Sequence, residues 1–452
     1  HPHGSPPHGF RRRRRLDAVP RSRWQRRLTG CPVADDPRPP VGRLDRGPSR
    51  SGRLVADHRP GPRVRDEHQR SPHCGDGWCS SRRRGPRNAE LRVLCFALSD
   101  GHLIWERQFW ATGRTMTHEK ISGATPTPIS DGQHLFALFS SNDCAALDLD
   151  GNLLWYRGLG RDYPNANNSL GMSSSLALAD GTLVAQVESQ SESFTAGLDP
   201  ATGRNRWRIE RPRTSNWTSP VVFREPGGRT LVLLLSSNGL AAVDARDGSP
   251  VWTYGDKGST VPSVTASGGR LYVPANGLAV LEPVAGATPK EVWRSTQLRT
   301  GTPSPVVLGN RVFLLNDGGI LSCGDATDGK RLWQLRLEGP FSATPVVAGG
   351  LLYCVNEKGV VQVVDPSKPE GERVATLNLG QTVIATPSIA SNSLFVRSDW
   401  SLGSNPRTCR ATERSRRAWR TGRLVALTIR NRTVSGASTQ AVKKRPASPG
   451  LR

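Results

Sequence analysis

Histidine is nearly missing from this chain. Nine occur in 452 residues, six of them before residue 90 and none after His134. A metal centre assembled from imidazoles on distant segments is therefore excluded for most of the sequence. No two of the eight cysteines are adjacent, and the close pair in "HCGDGWC" (73–79) has no second half to complete a metal site. There is no Gly-x-Ser-x-Gly elbow for a nucleophilic serine. No apolar run is long enough for a signal-peptide core or a membrane span, and the chain starts on His1 rather than Met.

Lysine is absent from residues 1–90, which hold 22 Arg against nine acids, a net of +13. Residues 401–452 add 13 basic residues and one acid, a net of +12, while 91–400 nets −1. The overall charge of +24 therefore resides outside the middle of the chain. Both flanks lack apolar periodicity, and such composition cannot bury enough surface to offset ordering entropy. They are expected to be disordered. One reading makes them basic arms for nucleic acid, with "RRRRR" (11–15) at the centre. The other makes them out-of-frame translation of a GC-rich gene. Arg without Lys, and abrupt loss of pattern at both edges, favour the latter.

The middle of the chain repeats. Six complete units run roughly over 122–159, 173–210, 217–255, 259–296, 301–338 and 342–380. Each opens on a small apolar stretch such as "TSPVV" or "ATPVV" and continues with a β-rich run such as "RLYV". Most close on an Asp turn followed by Trp: "LDLDGNLLW" (147–155), "LDPATGRNRW" (198–207), "VDARDGSPVW" (243–252), "GDATDGKRLW" (324–333). Val, Leu, Tyr and Thr fill the runs, and Gly, Asn and Asp mark the corners, so each unit reads as four short antiparallel strands. One such sheet cannot bury both faces, and radial stacking of neighbours gives an all-β propeller. Trp105, Trp155, Trp207, Trp252, Trp293 and Trp333 are expected to fill the wedge between blades, with their N–H groups needing partners. The last unit departs, with Val374 or Ala375 at the Trp position.

The turn at 199–207, Asp-x-x-Thr-Gly-x-x-x-Trp, and its near copies resemble the pyrroloquinoline-quinone-like propeller repeat, the superfamily of the quinoprotein dehydrogenases and the BamB-like assembly proteins. The resemblance spans about 91–400. It implies seven or eight blades, and an exported protein of the periplasm or cell exterior. As written the chain supplies six units, an outer half-blade at 91–109 and an inner half-blade at 384–399. If the halves join, the ring has seven blades. The resemblance to dehydrogenases would imply adjacent cysteines, a Glu and an Asn on calcium and a catalytic Asp, and the sequence has no adjacent cysteines.

Other motifs are decoys. "GDATDGKR" (324–331) has the spacing of a phosphate loop, but Arg331 stands where Ser or Thr must hold magnesium and a strand follows. "DLDGN" (148–152) begins like a calcium loop, yet Leu153 occupies the position that requires Gly. Cys95, Cys144, Cys323 and Cys354 sit in strand contexts and are expected to pack as small apolar groups.

Three consecutive links between units are long: 110–124, 161–174 and 211–219. In a propeller such links emerge on one face and, being consecutive, share one sector. They carry Arg114, His118, Glu119, Lys120, Asp162, Asn165, Asn167, Asn168, Arg213, Asn216 and Trp217. Exposed loops on a rigid scaffold are where binding residues collect. The expectation is a non-catalytic, monomeric propeller at 91–400, without cofactor or metal, binding a protein, peptide or glycan through these loops. A quinone-dependent dehydrogenase and a nucleic-acid binder acting through the Arg-rich ends are the alternatives.

Overall fold

The computed structural model describes residues 89–98, 102–390 and 393–398, apart from 116, 119, 169 and 256, and the backbone of 424–428. The expected flanks at 1–88 and most of 401–452 lie outside the described residues. Blade 1 has two strands, β1 (Glu90–Phe96) and β2 (Leu103–Trp110). Blade 2 comprises β3 (Ile129–Ser130), β4 (His134–Leu138), β5 (Asp143–Asp148) and β6 (Leu153–Gly158). A short helix, α1 (Leu159–Asp162), leads into blade 3: β7 (Ala177–Ala179), β8 (Thr182–Val187), β9 (Phe194–Leu198) and β10 (Asn205–Glu210). Blade 4 is β11 (Val221–Arg224), β12 (Thr230–Ser236), β13 (Gly239–Asp244) and β14 (Pro250–Tyr254). Blade 5 is β15 (Thr265–Ser267), β16 (Arg270–Pro274), β17 (Leu278–Val284) and β18 (Ala287–Ser295). Blade 6 is β19 (Val306–Leu308), β20 (Arg311–Leu315), β21 (Ile320–Asp325) and β22 (Arg331–Arg336). Blade 7 is β23 (Val346–Ala348), β24 (Leu351–Val355), β25 (Val360–Asp365) and β26 (Glu372–Asn378). Blade 8 is β27 (Ser388–Ala390), β28 (Ser393–Arg397) and β29 (Leu424–Thr428).

Every pairing is antiparallel and in sequence order, so each full blade is an up-and-down sheet. The two half-blades do not join: β1 pairs with β2, while β28 pairs with β27 and β29, giving eight sheets. The strand β29 comes from the stretch expected to be a basic tail. Its residues Leu-Val-Ala-Leu-Thr are a short apolar run hidden between arginines.

The outer rim is locked by the repeated Trp. The residue opposite it on the third strand is small: Cys95, Ala146, Gly197, Ala242, Val280 or Cys323. This space lets the indole lie across its own sheet and reach the next one. In blade 7 the residue opposite Val363 is Ala375, which therefore stands in the Trp place. Four of the indoles donate to the carbonyl that follows the turn Asp of the next blade. The bonds run Trp105 to Leu149 (3.0 Å), Trp155 to Pro200 (2.8 Å), Trp207 to Ala245 (3.2 Å) and Trp293 to Ala326 (3.1 Å). The turn Gly of that next blade lies on the indole face. Gly248 has φ +72°, and a Cβ there would sit 2.6 Å from the Trp207 ring. Gly151, Gly203, Gly329 and Gly371 meet Trp105, Trp155, Trp293 and Trp333 in the same way. Thus the motif Asp-x-x-(Thr/Asp)-Gly is the receptor, and the Trp of the preceding blade is the plug.

The inner rim is held by a second device. The backbone N–H of one residue per blade donates to the hydroxyl of its counterpart in the next. The chain runs Thr127 to Ser175, Ser219, Ser263, Ser304, Thr344 and Thr386, with every bond between 2.9 and 3.1 Å. These are the Ser and Thr of the unit-opening stretches. Between the rims, a separate apolar cluster fills each junction from blade 1/2 to blade 7/8. Among the described residues the junction from blade 8 back to the start holds no such cluster. Arg397 of blade 8 donates from its guanidinium to the Ala124 carbonyl ahead of blade 2 at 2.6 Å, and Lys120 of the first link pairs with Glu357 of blade 7 at 2.9 Å.

Two outcomes follow. Gly248→Ala and Gly350→Ala both place a side chain at positive φ, but only Gly248 faces an indole, since open space surrounds Gly350. Gly248→Ala is expected to lose about 1–3 kcal/mol more stability than Gly350→Ala, the cost of overpacking, measured by urea unfolding. The turn carboxylates supply the second. Asp148 is held below the usual carboxylate range by the Asn152 side-chain amide, Asp199 by the Ala201 N–H, Asp244 by Arg246 and Asp365 by the Ser367 hydroxyl. Depressed folded values mean stability that is present above the unfolded pKa, about 3.9, and lost as pH falls through the folded values. The melting temperature is expected to fall on acidification below about pH 4, and a Asp244→Asn variant to fall less steeply.

Candidate functional site

In an up-and-down blade, the link to the next blade and the turn between second and third strands leave by the same face. That face carries the links between blades, including 111–128, 159–176 and 211–220; the first two are long as expected, whereas the third is no longer than 255–264 or 296–305. The first and third are fastened at their bases by a buried carboxylate.

The first link is anchored by Asp143, fully buried at the start of β5. Its carboxylate accepts the Thr112 N–H (3.0 Å), the Thr112 hydroxyl (2.5 Å) and the Ser141 hydroxyl (2.6 Å). The third link is anchored by Glu188, also fully buried. Its oxygens accept from Arg211 at 2.7 Å, Gln186 at 3.0 Å and Asn216 at 2.8 Å. Arg211 is itself almost wholly covered, so the pair is desolvated, and each charge depends on the other. The second link enters through α1, where Arg157 binds Asp162 at 2.8 Å. Tyr163 then packs on Phe194 with ring centroids 4.6 Å apart, and the Arg208 guanidinium lies over both rings.

The three links are also tied to one another. The His118 N–H donates to Leu170 O at 2.8 Å, joining the first to the second. The Trp217 indole donates to Gly171 O at 2.9 Å, joining the third to the second. Gly171, at φ +89°, lets the chain approach Thr117 and Ile121 where a Cβ would crowd both. The expected clustering in one sector is thus physical contact.

The sequence-derived candidates separate into two groups. Arg114, Lys120, Asp162, Asn165 and Arg213 are exposed, while His118, Asn167 and Trp217 are half-buried. Lys120 pairs with Glu357, and the His118 Nδ1 accepts the Lys120 N–H at 3.2 Å, leaving the ring proton on Nε2. Asn168 and Asn216 turn inward and are almost fully buried. Asn216 belongs to the Glu188 anchor and Asn168 caps its own turn by accepting the Leu170 N–H, so both shape loops rather than offer surface. Glu119 lies outside the described residues. Sequence reasoning passed over Arg161, exposed on α1 beside Asp162. Its signal was position in the same link. Among the described residues, Arg114, Arg161 and Arg213 form no ion pair. Each link therefore presents one uncompensated guanidinium.

Groups suited to chemistry are sparse here. Burial pushes the thiols of Cys144 and Cys354 up to about 12 and that of Cys323 up to about 11, and it raises Cys95 as well. None is a thiolate at neutral pH, so none is primed as nucleophile or metal ligand. Burial, and the nearby Asp143, also raise the Tyr156 phenol. Among the described residues no three His, Cys, Asp or Glu side chains converge on a metal position. Among the described residues no helix is long and apolar enough to cross a membrane.

Comparison with known proteins agrees with this architecture. The model of the family described as outer membrane protein assembly factor BamB matches residues 49–277 and 278–435. The crystal structure of BamB from Moraxella catarrhalis superposes with a TM-score of 0.51 at 19% identity, covering 69% of this chain and 93% of that one. Quinohemoprotein alcohol dehydrogenase from Comamonas testosteroni gives 0.47 at 11% identity over 66% of each chain. No curated protein matches by sequence.

The Glu188 anchor yields a direct test. Glu188→Ala leaves Arg211 buried without its counter-charge, and is expected to cost about 3–5 kcal/mol in urea unfolding. Arg213→Ala, at an exposed position, is expected to change stability by less than about 0.5 kcal/mol.

Proposed function

The chain belongs to the outer membrane protein assembly factor BamB family, and on that basis we propose that its loop face captures an acidic partner protein and catalyses no reaction. The observation that carries this is the trio Arg114, Arg161 and Arg213, one exposed guanidinium on each of three interlocked links. A surface of one sign on a rigid platform attracts and orients a partner of the other sign. Trp217, half-buried at the junction of the links, adds an aromatic body of the kind that anchors interfaces. Family membership supports a protein rather than a glycan as partner. It also supports a place in the periplasm or on the outer membrane for a monomeric propeller at 91–400.

The dehydrogenase alternative asks for residues that do not fit a quinone–calcium group here. Its adjacent cysteines are missing, and Cys95 and Cys323 lie opposite blade tryptophans on separate sheets. The nucleic-acid alternative rests on the Arg-rich ends, outside the described residues.

The triple variant Arg114→Glu, Arg161→Glu, Arg213→Glu is expected to lose partner capture from cell-envelope extract while keeping the wild-type melting temperature. Capture by the wild type is expected to weaken steadily as salt is raised. Capture that ignores both the reversal and the salt would sink the charge-based reading. Calcium-dependent dye reduction with added quinone and alcohol would replace it with the enzyme.

A further inference from the structure

Blades 5 and 6 enclose a polar cavity of about 270 Å³. It opens among three turns: β15–β16 of blade 5, and β19–β20 and β21–β22 of blade 6. In an up-and-down blade these turns leave by the face opposite the links. Ser267, Arg270, Tyr272, Asn310 and Thr327 line the cavity, with no carboxylate among the lining side chains. Gly268 and Gly309 belong to its rim, and a Cβ on either would meet nothing within 4 Å, so the mouth is open. Complete four-stranded blades, 4 and 7, stand on either side of this pair, so the cavity does not depend on how the ring closes.

The repeat shows that this lining is particular to one blade. The second strands open on "HLF" (134–136), "TLV" (182–184), "TLV" (230–232), "RLY" (270–272), "RVF" (311–313), "LLY" (351–353) and "SLF" (393–395). Among them Arg and Tyr fall together only in blade 5. The third position faces the following blade there: Tyr272 joins the apolar cluster of the 5/6 junction, while Leu271 joins that of 4/5. Tyr272 is only 3% exposed. Yet among the described residues its hydroxyl bonds to nothing. Phe313 fills the equivalent register in blade 6, so packing alone does not call for the phenol oxygen. Burial pushes that phenol above its ordinary value and Arg270 draws it back, which leaves a neutral hydroxyl at physiological pH. The Arg270 guanidinium donates to the Ala326 carbonyl at 2.8 Å and, among the described residues, has no carboxylate partner. The Ser267 hydroxyl is likewise unbonded among them. The opposite wall is fixed: the Thr327 hydroxyl donates to Asn310 at 3.1 Å, and the Asn310 amide and the Thr327 N–H donate to Asp325 at 3.3 and 2.7 Å.

We propose that this cavity binds a small hydroxylated monocarboxylate of the sugar-acid class. The free edge of the Arg270 guanidinium takes the carboxylate through charge-assisted bonds, and the Tyr272 hydroxyl donates to the same group. The Ser267 hydroxyl and the remaining Asn310 amide hydrogen meet the ligand's hydroxyls. Asp325 and Asp328, on the turn that supplies the opposite wall, oppose a second negative charge. The volume lies just under the range of about 300–1,000 Å³ that holds drug-sized ligands, which suits a single sugar-sized ring. This site is separate from the arginine-bearing links and does not rest on their reading.

The test titrates the full chain with glucuronate by calorimetry, and saturable binding is expected. Tyr272→Phe is expected to weaken it about three- to tenfold, and Arg270→Thr by more than about tenfold. Phe313 and Thr230 occupy these places in other blades, so both variants suit the fold, which a melting temperature close to wild type verifies. If Arg270→Thr unfolds, Tyr272→Phe decides alone. Tyr353→Phe, in the blade where Leu351 stands in place of the arginine, is expected to leave binding unchanged. Absence of saturable binding overturns the proposal, as does binding indifferent to the substitutions at the cavity. Glucose bound as tightly as glucuronate, or inorganic phosphate bound more tightly, overturns the assignment to a monocarboxylate.

Discussion

An indole lying on a glycine, with its N–H bonded to a carbonyl of the same turn, sets the distance between one sheet and the next. Blades of two- to seven-residue inner strands have little area with which to choose their own angle. The Trp-on-Gly contact chooses for them, because both surfaces are flat, and the glycine side leaves no room for an added methyl group. With that spacing fixed at the rim, an apolar cluster fills each junction from blade 1/2 to blade 7/8, and the inner hydroxyl ladder falls into bonding range. The rim contact therefore comes first in the logic of the fold, although it lies farthest from the axis.

The sequence announced this contact because its two partners lie at fixed spacing in most copies: Gly151, Gly203, Gly248 and Gly329 each stand four residues before a Trp. Trp207 and Gly203 stand four residues apart, yet each engages a different blade: Gly203 receives Trp155, and Trp207 plugs into Gly248. Repetition made the pattern legible without any knowledge of that crossing. The ladder was present in the same letters, as the Ser and Thr of "TSPVV" and "ATPVV", but a hydroxyl before proline carries no mark of what it bonds. Asn168 and Asn216 were misjudged for a similar reason. A polar residue in a long link reads as exposed until a buried acid such as Glu188 is known to stand beneath it. The strand at 424–428 was masked by the arginines on either side of it.

The loop face inherits its rigidity from below. Asp143 and Glu188 are buried carboxylates whose bonds are fully engaged by the links above them, so the exposed side chains stand on braced backbone. Ordering entropy for these loops is spent in folding rather than at the moment of encounter. A platform of this kind suits recognition by placement, in which a few charges meet a partner at set positions.

The hydroxyl ladder has a sense of travel. Each bond runs from the amide of one blade to the oxygen of the next in chain order, and none runs back. Aligned dipoles of this kind reinforce one another, so the row is a vector with a donor terminus at Thr386 and an acceptor terminus at Thr127. The row therefore gives the blades an order that can be read from backbone amides and hydroxyl groups alone, independent of the apolar side chains packed between them.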